Sequence, residues 1–294
     1  MVDSLINGID VKEEVIREDL YEEIPHLLDE EFIENRYCTE VLLEKHSSDR
    51  LQETVHGILE DWGDSQVVSE TDQLLRVHVH SNQPALVVDE LSEFGKILEV
   101  KADDMHYQQR LSQPYPGKTA LIIDSIADIP MEMLTEHVYC LPMNLLEDGV
   151  SFQDKRTMSH KRLLNNASKI TSSQLNLAEV SEFLDPISRA YDGLLIIAVS
   201  SKMSGLYERY LEYKNTRPDK NIALVDSRLN SAGQGLLSFK AMEMLNTGKS
   251  LETMVTDLEK LRDRTKIYVS VPNLKGMVTS GRLNKRIGKL LMTL

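Results

Sequence analysis

The first hundred residues carry two different spacings of apolar positions. Over residues 1 to about 60, apolar side chains recur among acidic ones at helical intervals, so this stretch is predicted to be helical. Residues 74–80 alternate apolar and polar side chains, which is typical of a half-buried strand. Shorter runs at 65–69 and 96–100 predict two more strands, and Pro84 begins a helix before the last of them. The pattern predicts a small α/β domain over residues 1–107.

Beyond a predicted linker at residues 108–117, which holds two prolines and a glycine, the pattern changes to short continuous apolar runs. Four buried strands are predicted, at residues 119–124, 138–145, 193–199 and 222–225, and helices separate most of them. Such runs are typical of a parallel sheet covered on both faces, so residues 118–265 are predicted to form a doubly wound α/β domain. A fifth strand at 266–271 and a helix at 285–294 predict the truncated start of a second subdomain over residues 266–294.

Charge and cysteine content narrow the function classes. The 33 Lys and Arg against 47 Asp and Glu give a formal net charge of −14, which repels phosphate backbones and disfavours nucleic-acid binding. The only cysteines, Cys38 and Cys140, form no disulfide framework and fit a reducing compartment. No basic and apolar leader is present, and the longest apolar run is far shorter than the roughly 20 residues of a membrane span. The sequence predicts a cytoplasmic protein without integral membrane association.

Small polar residues collect where the predicted strands of the second half end. They are Asp124 and Ser125 after the first strand, Ser200, Ser201, Ser204 and Gly205 after the third, Asp226 and Ser227 after the fourth, and the separate run at 171–174. Ligands of parallel α/β sheets bind outside the carboxyl ends of the strands, where hydroxyls and helix N-terminal amides donate hydrogen bonds to an anion. The same residue types are favoured helix caps, so capping alone stays an alternative for each cluster.

The first half contains candidate metal ligands. His78 and His80 are two residues apart in a predicted strand, which puts both imidazoles on one face. Neutral imidazole and thiolate are good zinc ligands, and Cys38 supplies a thiol from a distant segment. The alternative is that both histidines are half-exposed polar residues with no metal.

Five ordered segments of the second half resemble the DegV family of bacterial fatty-acid-binding proteins. They are residues 124–130 (DSIADIP), 171–174 (TSSQ), 200–207 (SSKMSGLY), 226–235 (DSRLNSAGQG) and 274–283 (LKGMVTSGRL). The resemblance implies a carrier that buries one long-chain fatty acid and holds its carboxylate on hydroxyls and backbone amides. By position, the carboxylate contacts would be Ser172, Ser173, Ser204 and Gly205, and the strand-end residues Asp124 and Ser125 complete the predicted ligand-binding set.

The sequence departs from the family pattern at several positions. Ile126 and Leu206 stand where the family has hydroxyl residues, which removes two candidate hydrogen-bond donors from the expected carboxylate-binding site. The family pattern also continues beyond Leu294, and that part would supply much of the wall around the acyl chain. The acyl chain is therefore expected to be less well covered than the carboxylate.

The first half is similar to another family, the middle domain of bacterial fatty acid kinase, which is Dak-phosphatase-like. The similarity covers residues from about 20 to 107 and rests on residues 37–40 (YCTE), 63–65 (GDS), 77–82 (VHVHSN), 95–97 (GKI) and 103–105 (DDM). It implies that Cys38, His78 and His80 bind zinc and that the domain forms a homodimer. The kinase's nucleotide-binding domain would precede this segment, and nothing in the sequence resembles it.

Together the two resemblances predict a fatty-acid-binding protein that holds the carboxylate for phosphorylation by the catalytic domain of a partner fatty acid kinase, without catalysis of its own. Two alternatives stay open at this point. One is a zinc-containing subunit of a fatty acid kinase or phosphatase-like enzyme. The other is a dimerisation protein that binds no lipid.

Overall fold

The computed structural model describes residues 33–130, 133–268, 270, 274–279, 281–284 and 286–287. The strands are β1 (Tyr37–Lys45), β2 (Gly63–Glu70), β3 (Leu74–Ser81), β4 (Gly95–Asp104), β5 (Tyr115–Asp124), β6 (Val138–Leu141), β7 (Asn144–Glu147), β8 (Val150–Gln153), β9 (Thr171–Ser173), β10 (Tyr191–Ala198) and β11 (Asn221–Asp226). The helices are α1 (Gln52–Leu59), α2 (Pro84–Leu91), α3 (Met105–Arg110), α4 (His160–Asn165), α5 (Leu177–Ala190), α6 (Leu206–Asn215), α7 (Ser231–Leu245), α8 (Leu251–Arg264) and α9 (Lys275–Thr279).

The chain divides into two compact units. The first contains the residues up to Arg110 together with Asn144–Ser172, and the second contains Leu111–Met143 together with the residues from Ser173 onward. The domain boundaries expected from the sequence stay a prediction.

The first unit is built on an antiparallel four-stranded sheet in the order β2-β3-β1-β4. One face packs against α1 and α2, and the core contains Val41, Leu43, Val77, Val88 and Leu91. The prediction of a helix over residues 1–60 is wrong for β1 and right for α1, and its first 32 residues lie outside the described residues. β1 lies in the middle of the sheet and is buried on both faces, so its apolar residues run together and hide the alternation of a strand.

A segment from the second half of the sequence packs on this first unit. β7 and β8 form an antiparallel hairpin, and Phe152 and Met158 join the core of the first unit. Arg162 of α4 is bound to Glu147 and lies 3.9 Å from Asp89 of α2. The single strand predicted over residues 138–145 is therefore wrong: it is divided at Pro142 into β6 and β7, which belong to different sheets. Proline has no N–H for a sheet hydrogen bond and interrupts the strand there.

The second unit contains a parallel sheet in the order β11-β10-β5-β6. Its strands bury consecutive residues, because α7 and α8 cover one face while α5 and α6 pack against β10. This arrangement confirms the predicted mixed α/β class with a parallel sheet. After β5 the chain adds β6 on one side of β5 and later adds β10 on the other side. The strand order therefore reverses between β5 and β10.

The last predicted elements are mostly outside the described residues. Within residues 266–271 the structure describes 266–268 and 270, and none of these lies in a strand, contrary to the predicted fifth strand. In the predicted helix 285–294 only 286 and 287 are described, and both are helical. Among the described helices, none combines the length and apolar content needed to cross a bilayer.

Candidate functional site

The reversal point of the parallel sheet is organised by Asp124, the last residue of β5. Its side chain is fully buried, and one carboxylate oxygen accepts hydrogen bonds from the Val199 amide at 2.9 Å and from Gln234 Nε2 at 3.0 Å. The other oxygen accepts from the Ile126 amide at 3.1 Å. Asp124 therefore ties the end of β5 to the loop after β10 and to α7, at the edge where such sheets bind ligands.

Burial changes the protonation of this carboxyl. Removal from water is the largest effect and raises the pKa of Asp124 to about 6, although the donated hydrogen bonds act in the opposite direction. The Asp124 side chain holds the loop after β10 through the Val199 amide. Its role as a ligand contact stays a prediction.

The loop after β10 offers hydrogen-bond donors to an anion. Ser204 is half-buried just before α6, and its Oγ accepts from the Leu206 amide at 3.3 Å, an interaction that leaves the hydroxyl hydrogen able to donate. Gly205 precedes the first turn of α6, whose N–H groups face outward from the helix start. Leu206 itself is fully buried, so the position where the family has a hydroxyl serves the core here.

Gly205 is covered by the side chain of Gln174. A Cβ at position 205 would overlap the Gln174 amide, so a larger residue there would require the Gln174 side chain to turn away. The contact brings the residue after Ser173 against the residue after Ser204. That Ser173 and Ser204 contact one carboxylate stays a prediction. Ser173 is half-buried, which leaves its hydroxyl near the surface.

The other predicted ligand residues have different surroundings. Ser125 is buried and its Oγ accepts from the Met143 amide at 3.0 Å. Ser172 is exposed and belongs to the first unit. Sequence reasoning did not select Gln174 or Gln234 as site residues. Both stand inside the quoted motifs, and the Gln234 Oε1 atom is buried with no hydrogen-bond partner among the described residues.

The candidate metal centre lies on the face of the first sheet opposite α1 and α2. In the register, Cys38 is paired with His80, and Glu40 with His78, so all four side chains share this face. One ligand atom each from Cys38, His78 and His80 lies within 4.8 Å of the other two. The structure thus brings together the three residues that the sequence selected.

The geometry and donor chemistry fit a tetrahedral zinc ion. Cys38 Sγ is 3.8 Å from His78 Nδ1, close to the separation of roughly 3.5 Å that zinc–sulfur and zinc–nitrogen bonds impose on neighbouring ligands. Burial and the nearby carboxylates of Glu40 and Asp103 raise the pKa of Cys38 to about 11, so a metal must displace the thiol proton. Glu40 contacts His78 and is bound to Arg76, which together hold the pKa of Glu40 near 2.

The second unit is an α/β domain with hydroxyls and a helix start at the reversal point of its parallel sheet, which is where sheets of this class bind ligands. The comparison with known proteins agrees with this class. The family model described as "Uncharacterised protein, DegV family" matches residues 118–294, and the chain belongs to the DegV family. A second family model, which describes the middle domain of fatty-acid-kinase-like proteins, matches residues 34–112.

Individual relatives cover the second half of the chain. A DegV domain-containing protein of Caldanaerobacter subterraneus is 26% identical over 57% of this chain and 58% of its own length. A fatty acid binding DegV family protein of Streptococcus agalactiae has a TM-score of 0.54 at 23% identity, over 60% of this chain and 64% of that one. The Streptococcus pneumoniae Fatty Acid Kinase (Fak) B3 protein, loaded with linoleic acid, has a TM-score of 0.51 at 17% identity, over 58% and 64%. The chain thus spans less than two thirds of each of these relatives.

Proposed function

We propose that the second unit binds one long-chain fatty acid through its carboxylate, and that the chain presents this carboxylate to the catalytic domain of a fatty acid kinase. The observation that carries the proposal is the DegV membership of residues 118–294 together with the donors at the reversal point of the sheet. Two structural neighbours are described as fatty acid binding or as loaded with linoleic acid, which supports the same ligand class.

The hydrogen-bond donors at the reversal point of the sheet favour a carboxylate as the ligand. The hydroxyls of Ser173 and Ser204 donate to the carboxylate oxygens, and the amides at Gly205 and the first turn of α6 add further donors and a partial positive charge. Asp124 positions this loop from below through the Val199 amide. Ser172 and Ser125 stay proposed members of the same ligand set.

Ser204→Ala and Ser173→Ala should each weaken oleate binding about tenfold or more, because each removes one hydrogen bond to a charged group. Titration with a fluorescent fatty acid followed by displacement with oleate measures the affinities. Ser151→Ala is the matched control, since Ser151 is exposed on β8 of the first unit. Wild-type affinity for oleate in both Ser204→Ala and Ser173→Ala would exclude this carboxylate-binding site.

We also propose that Cys38, His78 and His80 bind one zinc ion, that the chain forms a homodimer through the first unit, and that it acts in the cytoplasm. The ligand cluster and the match to the fatty acid kinase middle domain support the zinc and the dimer. Neither Cys38 nor Cys140 forms a disulfide, in keeping with a reducing compartment. When bound, the zinc supplies a crosslink between β1 and β3, and a position left open by three protein ligands accepts water or another donor.

A further inference from the structure

We propose that Asp64 is a positioning residue of the metal centre, which holds the His80 ring so that Nε2 is the ligand atom. The inference rests on the proposed zinc site and extends it to a residue that is not itself a ligand. Its starting point is the distance of 3.5 Å between Asp64 Oδ1 and His80 Nδ1. A carboxylate beside one ring nitrogen keeps the proton there and leaves the other nitrogen for the metal.

The carboxylate of Asp64 is itself held in place. Its second oxygen, Oδ2, accepts a hydrogen bond from Asn35 Nδ2 at 2.8 Å, and Asn35 Oδ1 accepts from Asn82 Nδ2 at 3.2 Å. Oδ2 is therefore hydrogen-bonded to Asn35, and Oδ1 is the oxygen that lies 3.5 Å from His80 Nδ1. Asn82, just after β3, thus holds Asn35, and Asn35 holds the Asp64 carboxylate beside the imidazole of His80.

The backbone around Asp64 is shaped to bring it against His80. Asp64 is the cross-strand partner of His80, and the register of β2 shifts between Asp64 and Val67, as in a bulge. Ser65 within this bulge has a φ of 52°, which is unusual for a residue other than glycine. A Cβ at Gly63 would overlap the His80 carbonyl oxygen, so glycine alone permits this approach of the two strands.

The two histidines have different neighbours at Nδ1. His78 Nδ1 lies 3.8 Å from Cys38 Sγ and 3.8 Å from Glu40 Oε1, whereas His80 Nδ1 lies 3.5 Å from Asp64 Oδ1. The inferred ligand set therefore contains Nε2 of His80, the Cys38 thiolate and one ring nitrogen of His78. His80 is also the least buried of the three.

A matched pair of variants tests this role. Asp103 lies in the same row of the sheet, paired with Cys38, but its carboxylate is bound to Lys101. Asp64, His80, Cys38 and Asp103 stand side by side on neighbouring strands. Asp64→Ala and Asp103→Ala therefore each remove one negative charge from an end of this row. Zinc affinity, measured by competition with a chromophoric chelator, should fall roughly 10- to 100-fold in Asp64→Ala. It should fall at most about fivefold in Asp103→Ala, the effect of one partly exposed charge.

Further measurements separate positioning from folding. The circular dichroism and melting temperature of metal-free Asp64→Ala should match those of metal-free wild type, and Asp64→Asn, which keeps an acceptor oxygen, should have an intermediate affinity. Nitrogen-correlated NMR of the zinc-loaded wild-type chain should show His80 bound through Nε2. Equal affinities for Asp64→Ala and Asp103→Ala, or ligation of His80 through Nδ1, would overturn the role of Asp64. A wild-type chain without zinc affinity would overturn the metal site itself.

Discussion

Cys38→Ser is expected to weaken zinc binding more than about 100-fold, because structural zinc sites bind with an apparent free energy of about 10 kcal/mol or more, shared among a few ligands. Cys140→Ser is the matched control. It removes the other thiol of the chain, on β6, and should leave the zinc affinity unchanged. Competition with a chromophoric chelator gives the affinities, and cobalt substitution gives a thiolate charge-transfer band that only the Cys38 variant should lose.

Because Cys38 is buried, a folding defect must be separated from a lost ligand. His80→Ala changes a half-exposed position of the same set and should lower zinc affinity to a similar extent. The melting temperature of each metal-free variant reports folding directly. If both variants fold and bind zinc as tightly as the wild-type chain, the three residues do not form a metal site.

Asp124→Ala is expected to destabilise the second unit by about 3 to 5 kcal/mol at pH 4.5, because two buried donors and one partly buried donor lose their common acceptor. The deficit should shrink as the pH rises. A carboxyl whose pKa is raised to about 6 by folding stabilises the folded state fully below its unfolded pKa and loses that contribution as the pH passes 6. Between pH 4.5 and 7.5 the deficit of the variant should therefore decrease by about 2 kcal/mol.

The control for this prediction is Asp192→Ala. Asp192 is exposed on β10 and accepts a single hydrogen bond from the Gly117 amide, so its removal should cost at most about 1 kcal/mol. Chemical denaturation, followed by a signal from the second unit, gives the free energy of unfolding at each pH. A deficit for Asp124→Ala that stays constant or grows with pH would contradict the buried, protonated carboxyl.

The sheet of the second half could be predicted because its strands are buried on both faces and read as continuous apolar runs between helices. The same property concealed β1. Tyr37–Lys45 is a central strand of an antiparallel sheet, and its run of apolar residues after an acidic segment has no clear period of two. Local spacing alone does not distinguish such a strand from part of a helix.

Long-range packing accounts for what the sequence could not reveal. The hairpin β7–β8 follows β6 directly in sequence, yet Phe152 packs in the core of the first unit, and no local pattern indicates which core an apolar side chain will join. The three candidate metal ligands were selected from residue type and family resemblance. Asp64 was not, because its contact with His80 depends on a bulge and on the close approach at Gly63.

Native mass spectrometry of the zinc-loaded chain after incubation with oleate tests the central claim most directly, since it reports bound lipid, bound metal and the mass of the assembly together. The proposed function predicts one oleate and one zinc for each chain in a dimer, with the oleate signal reduced in Ser204→Ala. A folded, zinc-loaded chain that carries no oleate at saturating concentrations would contradict the assignment of the second unit as a fatty-acid-binding domain.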